Sequence, residues 1–153
     1  MARIEAICTS SAKGIPKTLC ERAVLREGHG VEGDAHAGDW HRQVSLLPLE
    51  RIQEFRDRGA EVVYGDFGEN LVVSGLDLDA MTVGDRLACG GAVLELTQFG
   101  KECHSRCRIF GKMGDCIMPR HGVFARVIAG GAVATGDAIA LIVGTAAERE
   151  ERA

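Results

Sequence analysis

Within "FGKECHSRCRIFGKMGDCIMPRHG", residues 99–122, three cysteines and two histidines stand among two lysines and three arginines. Thiolate is the nucleophilic and metal-binding form of cysteine, and nearby positive charge favours it over the thiol. Cys103, Cys107 and Cys116 lie in polar sequence beside Lys101, His104, Arg106, Arg108 and Lys112, so a lowered thiol pKa and real nucleophilicity are expected here. If "KECHSRCRIF" winds into a helix after Gly100, Cys103 falls in its first turn, where free N–H groups and the helix dipole favour an anion. Cys107 then lies one turn on, on the same face, placed to attack a modified sulfur on Cys103 and so resolve it or release its cargo.

The same residues suit a metal. The order C-x3-C-x8-C-x4-H, from Cys103 through Cys107 and Cys116 to His121, offers four ligands for zinc or three thiolates for an iron–sulfur cluster. The paired C-x2-C hooks common in structural zinc sites are absent. Cys8, Cys20 and Cys89 lie within or beside strand-like runs and read instead as structural thiols.

Charge is distributed unevenly around this segment. The chain carries a net charge of −4, yet Gln98 to Arg126 holds six Lys/Arg against two Asp/Glu, a local +4 that leaves −8 elsewhere. A basic island on an acidic body fits a small anionic ligand better than a nucleic acid, which needs a wider positive surface.

The elements that must position these groups read as one domain, residues 1–144, followed by a short charged tail, 145–153. A chain of 153 residues, 46% apolar and 26% charged, has the make-up of a globular protein, and its 20 glycines imply many tight turns between short strands. No basic start leads into an apolar run, and no window reaches the roughly 18 apolar residues of a membrane span, so a cytoplasmic protein with reduced cysteines is expected.

"ARIEAICTS" and "LCERAVLRE" read as strands, and "GHGVEGDAHAGDWHRQ" as a long polar loop. Pro48 suits a helix start, and Leu49, Ile52 and Phe55 recur at helical spacing before Gly59 ends the run. Strands follow at Leu71 to Ser74, Asp85 to Cys89 and Ala92 to Gln98, the last two joined as a hairpin by Gly90 and Gly91. "GVFARVIA", Gly130-Gly131 and "AVATGDAIALIVG" repeat that device, and the likeness of "VGDRLA" to "TGDAIA" is turn chemistry, not a duplicated domain. The fold class expected is α+β, mostly β: a β-barrel-like domain of short strands with one clear helix and a second, short helix over 101–110.

Two motif matches fail on context. Glycines at 28, 30 and 33 fit the dinucleotide-binding spacing, but no apolar helix follows to hold a phosphate. His29, His36 and His41 have no ligand spacing of a helix or strand, and read as loop histidines that hydrogen-bond or touch a ligand.

Taken in order, "GDAHAGDWHRQVSLL", "DFGENLVVSGLDL", "VGDRLACGGAVLELTQFGKECH" and "GVFARVIAGGAVATGDAIAL" resemble the MOSC domain, named after the C-terminal domain of molybdenum cofactor sulfurases. The resemblance runs from about residue 20 to 143, and the length is that of small stand-alone bacterial members. It implies a β-rich, barrel-like fold and one reactive cysteine after the strand ending "LELTQ", here Cys103. That cysteine would carry sulfur as a persulfide for metal–sulfur or molybdenum cofactor maturation, or ligate the molybdenum of a bound molybdopterin.

The resemblance also points to His36, His41, Arg42, Gln43, Ser45, Glu69 and Asn70 as cleft residues, with Lys101, His104, Arg106, Arg108 and Arg120 as further cofactor-binding candidates. No pyridoxal phosphate is expected in this chain, because no desulfurase domain precedes it, and sulfur would come in trans from a cysteine desulfurase or other donor. Molybdenum cofactor biosynthesis proteins or a molybdoenzyme are the expected partners, with neither nucleic acid nor membrane. The alternatives are a non-catalytic module that holds a metal or the cofactor, and a small molybdenum-dependent reductase.

Overall fold

Alternation of apolar and polar residues dictates the central strands, and the computed structural model, which describes residues 2–13, 15–100 and 122–142, shows how they assemble. In β8 (Ala92–Phe99) Ala92, Leu94 and Leu96 turn inward while Val93, Glu95 and Thr97 alternate with them. Its neighbour β9 (Val123–Ala129) buries Val123, Ala125 and Val127 and points Arg126 outward. By contrast β5 (Val44–Pro48) is buried at every position, as a central strand covered on both faces must be.

The main sheet runs β11-β7-β8-β9-β5-β6-β1-β2, with β1 at Arg3–Thr9, β2 at Thr18–Cys20, β6 at Leu71–Ser74, β7 at Arg86–Cys89 and β11 at Ile139–Ile142. A second sheet, β10-β3-β4, comprises β10 (Gly131–Ala134), β3 (Arg22–Arg26) and β4 (Gly30–Val31). Leu25, Val31 and Val133 of the small sheet share one core with Ile4, Leu46, Leu87, Leu94 and Val127 of the large one.

The parallel pair β5–β6 needs a crossover, and α1 (Leu49–Asp57) lies within that connection. Its Ile52 and Phe55 pack on the other side of the sheet with Ala6, Leu47, Phe67, Val72 and Phe124. Gly59, at φ 100, ends it: its N–H donates to the Arg56 carbonyl and that of Ala60 to the Phe55 carbonyl, the two bonds of a Schellman motif.

Three four-residue turns repeat one device. Val63–Asp66, Thr82–Asp85 and Ala134–Asp137 each place glycine third, at φ 93–96, and aspartate fourth. In each the aspartate carboxylate accepts the N–H of the first residue at 2.8–3.0 Å. The likeness of "VGDRLA" to "TGDAIA" is therefore turn chemistry, and the strands that the two turns launch, β7 and β11, pair with each other.

The mostly-β class, the helix after Pro48 and the Gly90-Gly91 hairpin agree with the sequence reading, the hairpin through its Cys89–Ala92 register. The barrel-like character holds in a loose sense: the sheet is not closed by a continuous ladder, but β1 and the chain before β11 meet through the Arg3–Ala138 bridge, with Ile4 N–H donating to the Asp137 carbonyl at 2.8 Å. Two expectations change. "LCERAVLRE" is two strands, because β2 pairs with β1 while β3 turns into the small sheet. Gly130-Gly131 makes no hairpin, since β9 pairs with β8 and β5 while β10 crosses to β3. The expected helix over 101–110 and the tail 145–153 lie outside the described residues.

Candidate functional site

Between β4 and β5 the chain has no ladder to hold it, so side chains fix its course. Asp34 is the main clamp. Its Oδ1 accepts the Ser10 N–H at 3.0 Å and Lys17 Nζ at 2.7 Å, and its Oδ2 accepts the His36 N–H at 3.1 Å in an Asx turn. The Ala35 N–H donates to the Ser10 carbonyl at 2.7 Å, which docks the loop on the end of β1. The Lys17 and Asp34 side chains are 1% and 0% exposed. Burial alone would raise the Asp34 carboxyl, but the Lys17 ammonium and the two backbone donors outweigh it and hold the pKa below the ordinary aspartate value.

Past this clamp the loop forms a cleft of about 170 Å³ lined by Lys13, His36, Trp40, Arg42, Ser45, Gly68 and Phe124. Trp40 is oriented by its indole N–H, which donates to the His36 carbonyl at 2.7 Å. The Arg42 guanidinium carbon lies 5.1 Å from the centre of the Phe124 ring and 6.0 Å from that of Trp40, and Lys13 Nζ lies 5.3 Å from the Trp40 centre. Aromatic faces at these distances attract cations and leave their N–H donors available to an anion.

Gln98, near the end of β8, ties the cleft to the chain beyond. Its Oε1 accepts from Arg42 Nε at 3.1 Å and from His41 Nε2 at 2.8 Å, while its Nε2 donates to the Gly100 carbonyl at 2.8 Å. The amide cannot be reversed without setting donor against donor at Arg42, so the His41 nitrogen facing it carries a proton. The Thr97 hydroxyl donates to the His41 carbonyl. Gly100 N–H donates to the Gly122 carbonyl at 2.6 Å, which joins the two ends of the chain that span residues 101–121.

A buried polar layer supports the floor. Asn70 Oδ1 accepts the Ser45 N–H at 3.0 Å, Asn70 Nδ2 donates to the Cys8 carbonyl at 3.1 Å, and Ser45 Oγ donates to the Gly68 carbonyl at 3.1 Å. Glu69, fully buried, accepts the Gly65 N–H at 3.0 Å and the Phe67 N–H at 3.2 Å. Burial pushes its pKa up despite these donors. Gln43 Oε1 accepts the Val127 N–H at 2.9 Å and pins β9.

Of the residues singled out from sequence, His36, Arg42 and Ser45 line the cleft, and His41 joins Arg42 at Gln98. Gln43, Glu69 and Asn70 are buried, with their side chains engaged by backbone groups. Cys103, Cys107, Cys116, Lys101, His104, Arg106, Arg108, Arg120 and His121 lie outside the described residues. Among the described residues no cluster of three or more His, Cys, Asp or Glu could hold a metal ion. Burial pushes the thiols of Cys8 and Cys89 up to about 12, as befits structural cysteines. Sequence reading missed Lys13, Lys17, Asp34, Trp40, Gln98 and Phe124. Asp34 and Trp40 stand in "GDAHAGDWH" and were within its reach, whereas nothing local marks Lys17.

Comparison with known proteins adds the family. The model of the MOSC domain matches residues 32–140, a stretch that includes Asp34, the cleft residues from His36 to Phe124 and the segment after β8, while Ser10, Lys13 and Lys17 precede it. The chain belongs to the MOSC domain family. Among solved structures this MOSC protein is similar to the YuaD protein of Bacillus subtilis, with a TM-score of 0.74 and 22% identity over 91% of this chain and 94% of that one. YiiM from Geobacillus stearothermophilus gives a TM-score of 0.71 at 21% identity, covering 94% and 76% of the two chains. YiiM from Escherichia coli gives 0.64 at 21%, covering 94% and 71%. At these identities the likeness is one of fold. A search of curated proteins returned no match. No helix among the described residues is long and apolar enough to cross a membrane.

Proposed function

We propose that this MOSC protein is a sulfur carrier for molybdenum cofactor or metal–sulfur maturation, with Cys103 as the working thiolate. One observation carries this reading: Gln98, hydrogen-bonded to both Arg42 and His41, also holds Gly100, three residues before Cys103. Chain length keeps the Cα of Cys103 within about 11 Å of that of Gly100, at roughly 3.6 Å per residue. That tether supports reading the reactive cysteine that the family implies together with the cationic, aromatic cleft as one site.

The transfer balances without an outside oxidant. The Cys103 thiolate attacks the terminal sulfur of a donor persulfide, such as that of a cysteine desulfurase acting in trans. The donor S–S bond breaks, and the donor leaves as thiolate while Cys103 becomes the persulfide. Attack by the Cys107 thiolate on the Cys103 Sγ then forms a Cys103–Cys107 disulfide and releases sulfide, the thiols supplying the two electrons.

Arg42, Lys13 and His36 fit an anionic ligand group such as the phosphate of molybdopterin. About 170 Å³ suits that end alone, since small-molecule pockets usually exceed about 300 Å³. Such a group would supply a redox-active molybdenum with the Cys103 thiolate as its ligand, and the protein would then hold cofactor rather than sulfur. Mass spectrometry after incubation with a cysteine desulfurase and free cysteine distinguishes these uses. An adduct of one sulfur atom on the Cys103 peptide, lost in Cys103→Ser, is expected, and adducts confined to other cysteines refute the carrier role.

A further inference from the structure

A register shift in β8 decides which face of the sheet Gln98 occupies. Leu96 lies opposite Ala125 of β9, yet Gln98, not Thr97, lies opposite Phe124. In an unbroken strand Gln98 would follow Leu96 onto the main core and Phe99 would point away from it. With one extra residue in β8, Phe99 packs on that core, and Gln98 shares a face with Phe124 and, across β5, with Ser45. Phe124 is the ring on which the Arg42 guanidinium rests, its carbon 5.1 Å from the ring centre. Gln98 meets that guanidinium with an amide that is itself fixed: its Nε2 donates to the Gly100 carbonyl at 2.8 Å, while its Oε1 accepts from His41 at 2.8 Å and from Arg42 Nε at 3.1 Å. A guanidinium packed on rings and held by one N–H cannot turn in its own plane, so its two terminal nitrogens are the donors Arg42 can offer a ligand. Neither has a hydrogen-bond partner among the described residues. The Ser45 hydroxyl of the same cleft adds no donor, since it accepts the Asn70 N–H at 3.0 Å and gives its own proton to the Gly68 carbonyl at 3.1 Å. A second cation is Lys13, whose Nζ lies 5.3 Å from the centre of the Trp40 ring that Arg42 approaches at 6.0 Å.

We infer that Gln98 is a positioning residue: by holding Arg42 Nε it makes the guanidinium a two-pronged donor, which with Lys13 selects a phosphate-type dianion over a monatomic anion of single charge. Two parallel N–H···O bonds need an acceptor with two oxygens on one edge, and a chloride ion has no such edge. This rests on the cleft being the anion site of the proposed function, but not on what Cys103 carries.

The fluorescence of Trp40, the chain's single tryptophan, tests it by reading the binding of inorganic phosphate with chloride as competitor. In the wild type phosphate should alter the emission, and chloride should displace it only in large excess. In Gln98→Met the guanidinium has to be ordered by the ligand, so phosphate affinity should fall about three- to tenfold while chloride affinity changes by less than about twofold. Nitrogen NMR of the arginine side chains checks the wild type by itself: the Arg42 Nε–H should exchange with water slowly, and phosphate should shift the terminal nitrogens while Nε–H stays bonded to Gln98. An Arg42 Nε–H that exchanges as fast as that of the exposed Arg22 overturns the inference without any variant having to fold. Equal losses of phosphate and chloride in folded Gln98→Met, or no loss of either, overturn it while the anion site stands. If phosphate moves neither the Trp40 emission nor the Arg42 signals, the anion site itself is refuted and the inference with it. Sulfur loading of Cys103 has no bearing on these signals, so the carrier role is judged separately.

Discussion

Lys17→Met should destabilise the protein by about 3–5 kcal/mol at pH 7, the usual cost of leaving one member of a buried ion pair without its partner. The size follows from burial: with side chains 1% and 0% exposed and a 2.7 Å separation, solvent does not screen the pair. At an effective dielectric constant near 20 the direct attraction is about 6 kcal/mol, part of which offsets the desolvation of both charges. Methionine keeps most of the apolar stem, so lost packing adds little. Urea unfolding reads the effect: with a slope of about 2 kcal/mol per M, the midpoint should fall by roughly 2 M.

The pH dependence is the sharper test. In the wild type the Asp34 pKa lies below its unfolded value, so its contribution is complete above that value and is lost as pH falls through the folded one. In Lys17→Met burial is no longer countered by the ammonium, the folded pKa rises, and the native state takes up a proton more readily than the unfolded chain. Lowering the pH from 7 to 4.5 should then relieve the variant, narrowing its deficit by about 1 kcal/mol or more. A deficit below about 1 kcal/mol at pH 7, typical of an exposed pair, refutes the reasoning, and so does one equal at both pH values.

Two other predictions use the thiols and the glycines. With pKa values of about 12, Cys8 and Cys89 hold at most about one thiolate in 10⁴ at pH 7.5, so iodoacetamide on native protein should modify Cys103 long before either; peptide mapping that finds Cys8 or Cys89 modified first contradicts this. Gly65 has φ +96 and an added Cβ there would strike the Lys17 carbonyl, whereas Gly28, at φ +65, has open space around it. Gly65→Ala should therefore cost about 3 kcal/mol or more and Gly28→Ala about 1 kcal/mol, and equal losses in thermal or urea unfolding would remove the steric argument.

What the sequence made legible was local. The helix of Leu49, Ile52 and Phe55 and the strand Leu71 to Ser74 follow from spacing, and the Cys89–Ala92 hairpin from two glycines. Which sheet a strand joins is set by distant partners, and so "LCERAVLRE" and Gly130-Gly131 were misread. The site divides the same way. His36 and Arg42 were found through family likeness, because loop residues have no period to betray them, and so was Ser45 in β5. Lys17 stands 17 residues from Asp34 with no pattern linking them, and only the fold makes the pair. Glu69 and Asn70 look like exposed polar groups in "GEN", yet irregular backbone around Gly65 and Phe67 needs buried acceptors, and these side chains supply them.

Of the cations counted between Gln98 and Arg126, Arg126 alone lies among the described residues. Arg126 faces outward, and its Nη2 lies 2.7 Å from Glu95, which Arg86 also contacts at 3.1 Å. The sequence of residues 101–121 carries five Lys/Arg against two Asp/Glu, and the cleft itself holds Lys13 and Arg42. Two buried acids beside the cleft add little negative charge to it. Asp34 is neutralised by Lys17, and burial makes ionisation of Glu69 harder than in water while backbone N–H groups compensate what charge it keeps. A protein with a net charge of −4 can therefore present a cationic cleft, because Asp34 and Glu69 are matched inside the fold while Lys13 and Arg42 stack on Trp40 and Phe124.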